Sequence, residues 1–378
     1  MMPHLGFKTL SWGLIFGTIV SCGKSQKPLP TGQRSEWPHS SLRDTDKALF
    51  PWDDQPRGRH GLRVAFYNVE NLFDTEDDPG KKDEEFLPSG MRNWTESRYQ
   101  AKLKAIARVL IAIGGWEAPE IVGLCEVENR RTLADLISRT PLHRFEYDFI
   151  HEESPDQRGV DVALLYRPDK FRPFHHRALR LRFPFDTTAR TRDILLVSGK
   201  ILNRDTLHVF VNHWPSKFGG AKETEPRRRY AARVVRQACD SLLRLNSKAK
   251  ILIMGDLNDE HFEPSIREDL RALPPSEVSQ PGDLYNLAAL VREGGSHKFQ
   301  QYWHLIDQMI VSAGLWENAQ GFVVKDQRMH IFSAPFLLVP DENNLGFKPN
   351  RTFEGMRYNG GFADHLPVFL DLVNTTSP

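Results

Sequence analysis

The chain has 378 residues, 40% hydrophobic and 26% charged, with 50 Lys and Arg against 49 Asp and Glu. That apolar share is ample for a buried core and excludes a disordered chain. The near-neutral balance excludes a protein that grips duplex nucleic acid by bulk positive charge, so affinity for a polyanion must come from local patches. No repeat, low-complexity tract or interior linker divides the chain, which predicts one large α/β unit.

The N-terminus carries His4, Lys8 and the apolar run Leu10–Val20, ending in Ile19-Val20-Ser21-Cys22. The run is too short to anchor in a bilayer and reads as a lipoprotein leader, residues 1–21, with Cys22 as the lipid acceptor. An ordinary signal peptide or a buried N-terminal strand are the alternatives. Residues 22–60, rich in Pro, Ser, Gln and charge, read as a flexible tether, and residues 61–374 as the folded domain. Cys125 and Cys239 lie in apolar stretches, where free cysteine is usually a small buried hydrophobe, although a disulfide in an oxidising compartment is left open.

Leu62–Tyr67 is an apolar run that leads into Asn68-Val69-Glu70-Asn71. Asp74–Gly90 is an acidic loop whose spacing fits no calcium loop, so a solvated loop is expected. Trp94–Ile113 has helical spacing at Leu103, Ile106, Ala107 and Leu110, with Asn93 or Thr95 as cap. Ile121–Leu124 runs into Glu126, and Arg130–Ser138 reads as a short helix. Asp161–Tyr166, Asp193–Ile201 and Leu207–Val211 read as strands, the last running into Asn212-His213-Trp214.

Glu225–Leu245 is a second helix whose first turn holds Arg227, Arg228 and Arg229. Positive charge there opposes the helix dipole unless an anion sits nearby, so these arginines, with Lys217 and Lys222 upstream, are either a phosphate-contacting rim or a solvated face. Ile251–Met254 then leads into Gly255–Asp259. Alternate strand residues face the same way, so Asp256 and Asn258 point together if the extended form continues. Trp303–Ile306 leads into Asp307, and the chain closes with Gly361–Val368, containing Asp364 and His365.

Acidic, amide and imidazole groups thus gather at the ends of apolar runs, with no nucleophilic Ser or Cys among them. Ligand-binding groups collect at strand ends in α/β sheets, and this inventory suits metal-assisted hydrolysis. The ordered series Asn68/Glu70, Glu126, Asn212-His213, Asp256-x-Asn258, Asp307 and Asp364-His365 resembles the endonuclease/exonuclease/phosphatase superfamily over roughly Leu62 to Leu372. Within it, Tyr67–Asp74, Ser154–Tyr166 and Asn212–Gly220 look most like secreted bacterial endonucleases.

The resemblance implies a deoxyribonuclease I-like two-sheet α/β sandwich flanked by helices, with one site at the strand-end edge. It implies a divalent cation, magnesium first and manganese or calcium as alternatives, held by Glu126 with Asn68, Glu70 and Asp364 as neighbours or as groups that hold its surroundings in place. Asp256 would deprotonate water, with His365 as the second choice of base, while Asn258 and His213 bond the phosphate oxygens, His365 faces the phosphate oriented by Asp307, and Asn212 belongs to the catalytic set. Exonuclease III-type members place a Tyr where Arg158 stands here, so Arg158 is the expected phosphate donor. Gln308 replaces the His or Tyr that often follows Asp307, which should affect only packing.

The substrate is left open. A nucleic acid cleaved outside the cytoplasm is the first expectation, by a monomer lipid-anchored in a bacterial envelope. A phospholipid or sugar-phosphate diester is the second, with Phe332–Val339 as the only apolar insert to meet lipid. An inactive binding lipoprotein is the third.

Overall fold

The computed structural model describes residues 61–375 apart from 116, 203 and 317–319. The leader, the tether and Cys22 lie outside the described residues. Two seven-stranded sheets dominate the described part. The first contains β1 (Gly61–Leu72), β2 (Ile121–Val127), β3 (Asp148–His151) and β4 (Asp161–Tyr166). The second contains β5 (Phe171–Leu179), β6 (Ile194–Ile201), β7 (Asp205–His213), β8 (Lys250–Asp256), β9 (Ala272–Leu273), β10 (Leu284–Asn286) and β11 (Asp307–Val311). The chain then returns to the first sheet with β12 (Phe322–Val324), β13 (His330–Ile331) and β14 (Val368–Asn374). The strand orders are β12-β14-β1-β2-β4-β3, with β13 also pairing β14, and β5-β6-β7-β8-β11-β10-β9.

The period of two in each strand builds the layers. Leu62, Val64 and Phe66 of β1 meet Val209, Val211, Leu252 and Met254 in the core between the sheets. Ala65 and Tyr67, facing the other way, pack under α1 (Glu96–Ile113) and α2 (Arg130–Ser138). Ile251 and Ile253 turn outward from the second sheet to Ala231, Ala232 and Val235 of α3 (Ala221–Leu245). The fold is therefore the two-sheet sandwich flanked by helices that the resemblance implies.

Cys125 sits in the core between the sheets and Cys239 in the core under α3; both thiols are free, so the open disulfide is not formed. The short helix begins at a capping box, in which Asn129 and Thr132 satisfy each other's backbone N–H groups. The acidic loop is partly tied down rather than wholly solvated: Asp74 and Asp83 are buried, and Asp74 accepts Asn129 Nδ2.

One bulge decides where the site forms. Asn68 pairs with Cys125 and Leu72 with Val127, so Val69, Glu70 and Asn71 together face the single residue Glu126. Glu126 is also skipped on its other side, where Cys125 pairs with Val162 and Val127 with Asp161. Glu70, Asn71 and Glu126 accordingly take left-handed backbone angles, φ 52°, 57° and 61°. Such angles are costly for side chains other than Gly, Asn or Asp and are characteristic of functional sites.

A candidate phosphoesterase site at one end of the sandwich

β7 and β8 run parallel, which puts His213 beside Asp256, and β11 runs antiparallel to β8, which puts its first residue Asp307 beside Asp256 as well. β14 is antiparallel to β1, so His365 just before it reaches the same end as Asn68. The strand ends named by the sequence thus converge.

Asp256 is the hub. Asn68 Nδ2 donates to its Oδ2 at 3.1 Å, and the Asn258 N–H donates to its Oδ1 at 3.0 Å. His213 Nε2 and His365 Nε2 stand 3.7 and 3.9 Å from Oδ2, too far to bond directly and spaced to share an oxygen held between them. Burial, with Asp307 adding to it against the pull of His365, raises the Asp256 carboxyl to about 7. His365 Nδ1 lies 2.6 Å from Asp307 Oδ2, which turns its Nε2 toward Asp256. Burial alone would depress this imidazole, but Asp307, Asp256 and Asp364 outweigh it and hold it protonated well above the usual range. His213 is the opposite case: burial, then Arg192 and Arg158, push it well below, so it is neutral.

Glu126 forms the other pole. The Asn71 N–H donates to Oε2 at 3.0 Å, whereas Oε1 has His213 Nε2 at 3.8 Å and Arg158 Nη2 at 3.9 Å. One oxygen is pinned and the other is directed into the site, a donor that fits a hard divalent cation held by few carboxylates and by water. Arg158 stands where the sequence suggested a phosphate donor, its backbone N–H fixed by Asp156.

The groups expected beside Glu126 are already hydrogen-bonded to one another or to Asp256 and Arg351. Asn68 donates to Asp256 and accepts the Glu70 N–H at 3.0 Å, so it orients the Asp256 carboxylate and its own oxygen is already engaged. Arg351 Nε and the Thr352 N–H take the two oxygens of Glu70, and Arg351 also bonds Asp364. These two carboxylates form a charge-compensated wall beside the centre and are not bare ligands. Burial, then Asp364, raises Glu70 to about 7, and buried Lys102 behind it falls to about 8.

Asn212 is wholly buried, donating to Phe210 O and Met254 O and accepting Trp214 Nε1, so it belongs to the scaffold and not to the phosphate contacts. A Cβ on Gly255 would come within 2.5 Å of Asn212, so only glycine allows that packing. Asn258 does not continue the strand. β8 ends at Asp256, Asn258 takes φ 53°, and its Nδ2 donates to Trp214 O. The turn, not strand alternation, brings it beside Asp256, and the second Nδ2 hydrogen remains for a phosphate oxygen.

The arginine rim is also corrected. The helix starts at Ala221, so Arg227–Arg229 lie beyond its first turn. Arg227 pairs with Asp186, Arg229 with Glu268 and Asp269, and Arg228, 1% exposed, has Nε 2.7 Å from Asp259. Lys217 pairs with Glu263 at 2.7 Å. Replacing Arg228 with Met should lower stability by about 3 kcal/mol, because it leaves the buried Asp259 charge with one cation, Lys217 at 3.4 Å, beside the neutral Ser265 Oγ–H at 2.6 Å. Urea unfolding checks this, and an unchanged midpoint would contradict it. Gln308 is wholly buried and bonds Asp259 O and Asn286, the packing role expected of it.

Arg351, Lys102 and His297 were not anticipated. Lys102 had a readable signal, a lysine on the apolar stripe between Tyr99, Leu103 and Ile106. His297 lies tilted against His365, with ring centroids 4.7 Å apart, and opens a three-residue hairpin strand too short to show a period, while Arg351 lies in a loop.

The model of the Endonuclease/Exonuclease/phosphatase family matches residues 63–374. The chain belongs to that family. No curated protein matches its sequence. Among solved structures, an endonuclease/exonuclease/phosphatase family protein of Bacteroides thetaiotaomicron is 18% identical over 85% of this chain and 100% of its own, with TM-score 0.50. A mannosyl-6-phosphatase of Bacteroides thetaiotaomicron VPI-5482 is 18% identical over 82% and 99%, with TM-score 0.49. The human nocturnin catalytic domain with bound sulfate is 15% identical over 83% and 95%, with TM-score 0.49. At these identities the likeness concerns the fold. Family membership makes the protein a divalent-metal-dependent phosphoric ester hydrolase.

Proposed function

We propose that the protein is a magnesium-dependent phosphodiesterase that cleaves nucleic acid outside the cytoplasm. The observation that carries the chemistry is the constellation around Asp256: a buried carboxylate held by Asn68 and the Asn258 N–H, with two imidazoles directed at the same oxygen. A water hydrogen-bonded to Asp256 Oδ2 loses its proton to that carboxylate as it attacks phosphorus, the ester P–O bond breaks, and the leaving oxygen departs to take its proton from solvent. His365 Nε2, protonated by virtue of Asp307, donates to a non-bridging oxygen on which charge grows. Asn258 Nδ2 and Arg158 supply further donors. Glu126 would hold the cation, whose chemistry is neutralisation of phosphate and leaving-oxygen charge. Manganese would suit the same carboxylate, calcium less readily with so few oxygens.

Two observations bear on substrate. Phe332, Ala334 and Leu337 are buried, and Phe336 and Leu338 pack half-buried against the same core, so the insert expected to meet lipid turns most of its apolar side chains inward. Phe218, 92% exposed, lies in the loop after His213, where a side chain can stack on a base. A second reading, a lipid phosphodiester, is favoured by the hairpin at residues 297–304, which exposes Phe299 and Tyr302 and touches the tip bearing exposed Leu345 through Lys298 Nζ to Leu345 O. A nucleic-acid zymogram run beside a release assay on sphingomyelin vesicles, each with and without magnesium, separates the two. Cleavage of vesicles alone would overturn the nuclease reading.

The proposed location, anchored in a bacterial envelope through Cys22, has its own test. Labelled palmitate should enter the wild type and not Cys22→Ser, which should leave the membrane fraction or stall as precursor. A processed, soluble wild type would refute the anchor. The protein is proposed to act as a monomer.

A further inference from the structure

His151, the last residue of β3, is buried with its side chain fully covered, yet neither ring nitrogen has a hydrogen-bond partner. Asp161, the first residue of β4, is 1% exposed, and its Oδ2 is likewise unpartnered while Oδ1 accepts the Ser154 N–H. These two meet at 3.3 Å, His151 Nε2 to Asp161 Oδ2, and Glu153 Oε1 lies 3.9 Å from His151 Nδ1. One donor atom from each of the three residues falls within a 4.8 Å cluster. A buried imidazole with neither nitrogen partnered, facing a buried carboxylate oxygen that is also unpartnered and with a second carboxylate beside them, is a costly arrangement unless a positive charge joins them.

We propose that His151, Glu153 and Asp161 form a second divalent-cation site, separate from the one at Glu126. An imidazole with two carboxylates selects a first-row ion of the zinc class over magnesium or calcium, which take oxygen donors. A nitrogen-to-oxygen separation of 3.3 Å is also about the edge of a tetrahedron with metal bonds of about 2.0–2.1 Å. The solvent-facing side lies at Glu153, whose side chain is 57% exposed and gives the ion its way in.

The site closes the base of the segment between β3 and β4. That segment carries Asp156, whose carboxylate fixes the Arg158 N–H and bonds Arg192 Nη1 at 3.2 Å, and it brings Arg158 to Glu126. The second ion is therefore structural, and its role is to hold the loop that presents Arg158.

The test uses chelator-stripped full chain and Co2+ or Zn2+ alone. Cobalt should give a visible absorption band that survives Glu126→Gln and is lost in both Glu153→Gln and His151→Ala. Zinc at about a hundredfold over its dissociation constant should raise the melting temperature of Glu126→Gln, in which the first site is disabled, by roughly 5 °C and leave the Glu126→Gln, Glu153→Gln double variant unmoved. Glu153→Gln keeps the proposal open to refutation should His151→Ala fail to fold, because its side chain is largely exposed. A band unchanged in Glu153→Gln, or no zinc-induced shift in Glu126→Gln, would overturn it in favour of an imidazolium held between two carboxylates. Because no readout depends on turnover, these results are independent of the nuclease assignment.

Discussion

Asp256→Asn should lower kcat by roughly a thousandfold, the scale of a lost general base, while substrate affinity stays near wild type. The proton is accepted only as the transition state forms, so the loss falls on kcat rather than on ground-state binding. The buried carboxyl is raised to about 7 by burial and Asp307, so its basic form is lost as pH falls through that value. kcat/KM should therefore decline on the acid side at or below about pH 7, since a cation at Glu126 can only pull that limb lower. On the alkaline side it should decline where His365 deprotonates.

The stability consequence has the opposite sense. A carboxyl whose folded value lies above its unfolded one favours the folded state fully below the unfolded value, and that contribution is lost as pH rises through the folded value. Wild type thus carries a buried charge at pH 8 that Asp256→Asn lacks. The variant's melting temperature relative to wild type should rise between pH 4 and pH 8, partly offset by the poor contact of two amides where Asn68 now donates to Asp256. Near-normal turnover by a folded Asp256→Asn would remove Asp256 from the mechanism.

Glu126→Gln should cost at least about three powers of ten in kcat, because metal stabilisation of a phosphoryl transition state amounts to several kcal/mol. Gln retains an acceptor for the Asn71 N–H that pins Oε2, so the bulge should persist and the circular dichroism spectrum should not change. The diagnostic sign is a rightward shift in the magnesium titration, with partial recovery at high magnesium. Full wild-type turnover in excess EDTA would contradict metal dependence outright. The same shift in Glu70→Gln would make the Arg351-paired wall part of the metal's own ligand set.

The sequence alone determined the residue types of the chemistry and their order along the chain. Asn68, Glu126, His213, Asp256, Asp307 and His365 each follow or start an apolar run, and strand pairing carries those ends to one edge. The helices were equally legible in part: Arg130–Ser138 matches the expected span, since capping and period are local signals. Only the tertiary structure decided which face each group uses. A strand period could not reveal that Val69–Asn71 bulge against Glu126, or that Asn258 reaches the centre through a turn, because bulges and left-handed residues break the very alternation being read. The arginine cluster looked like an anion rim only while its partners Asp186, Asp259, Glu268 and Asp269 were distant in sequence. Charge compensation is a three-dimensional property, and it is what separates Glu126, with an oxygen turned into the site, from Glu70, which Arg351 already holds.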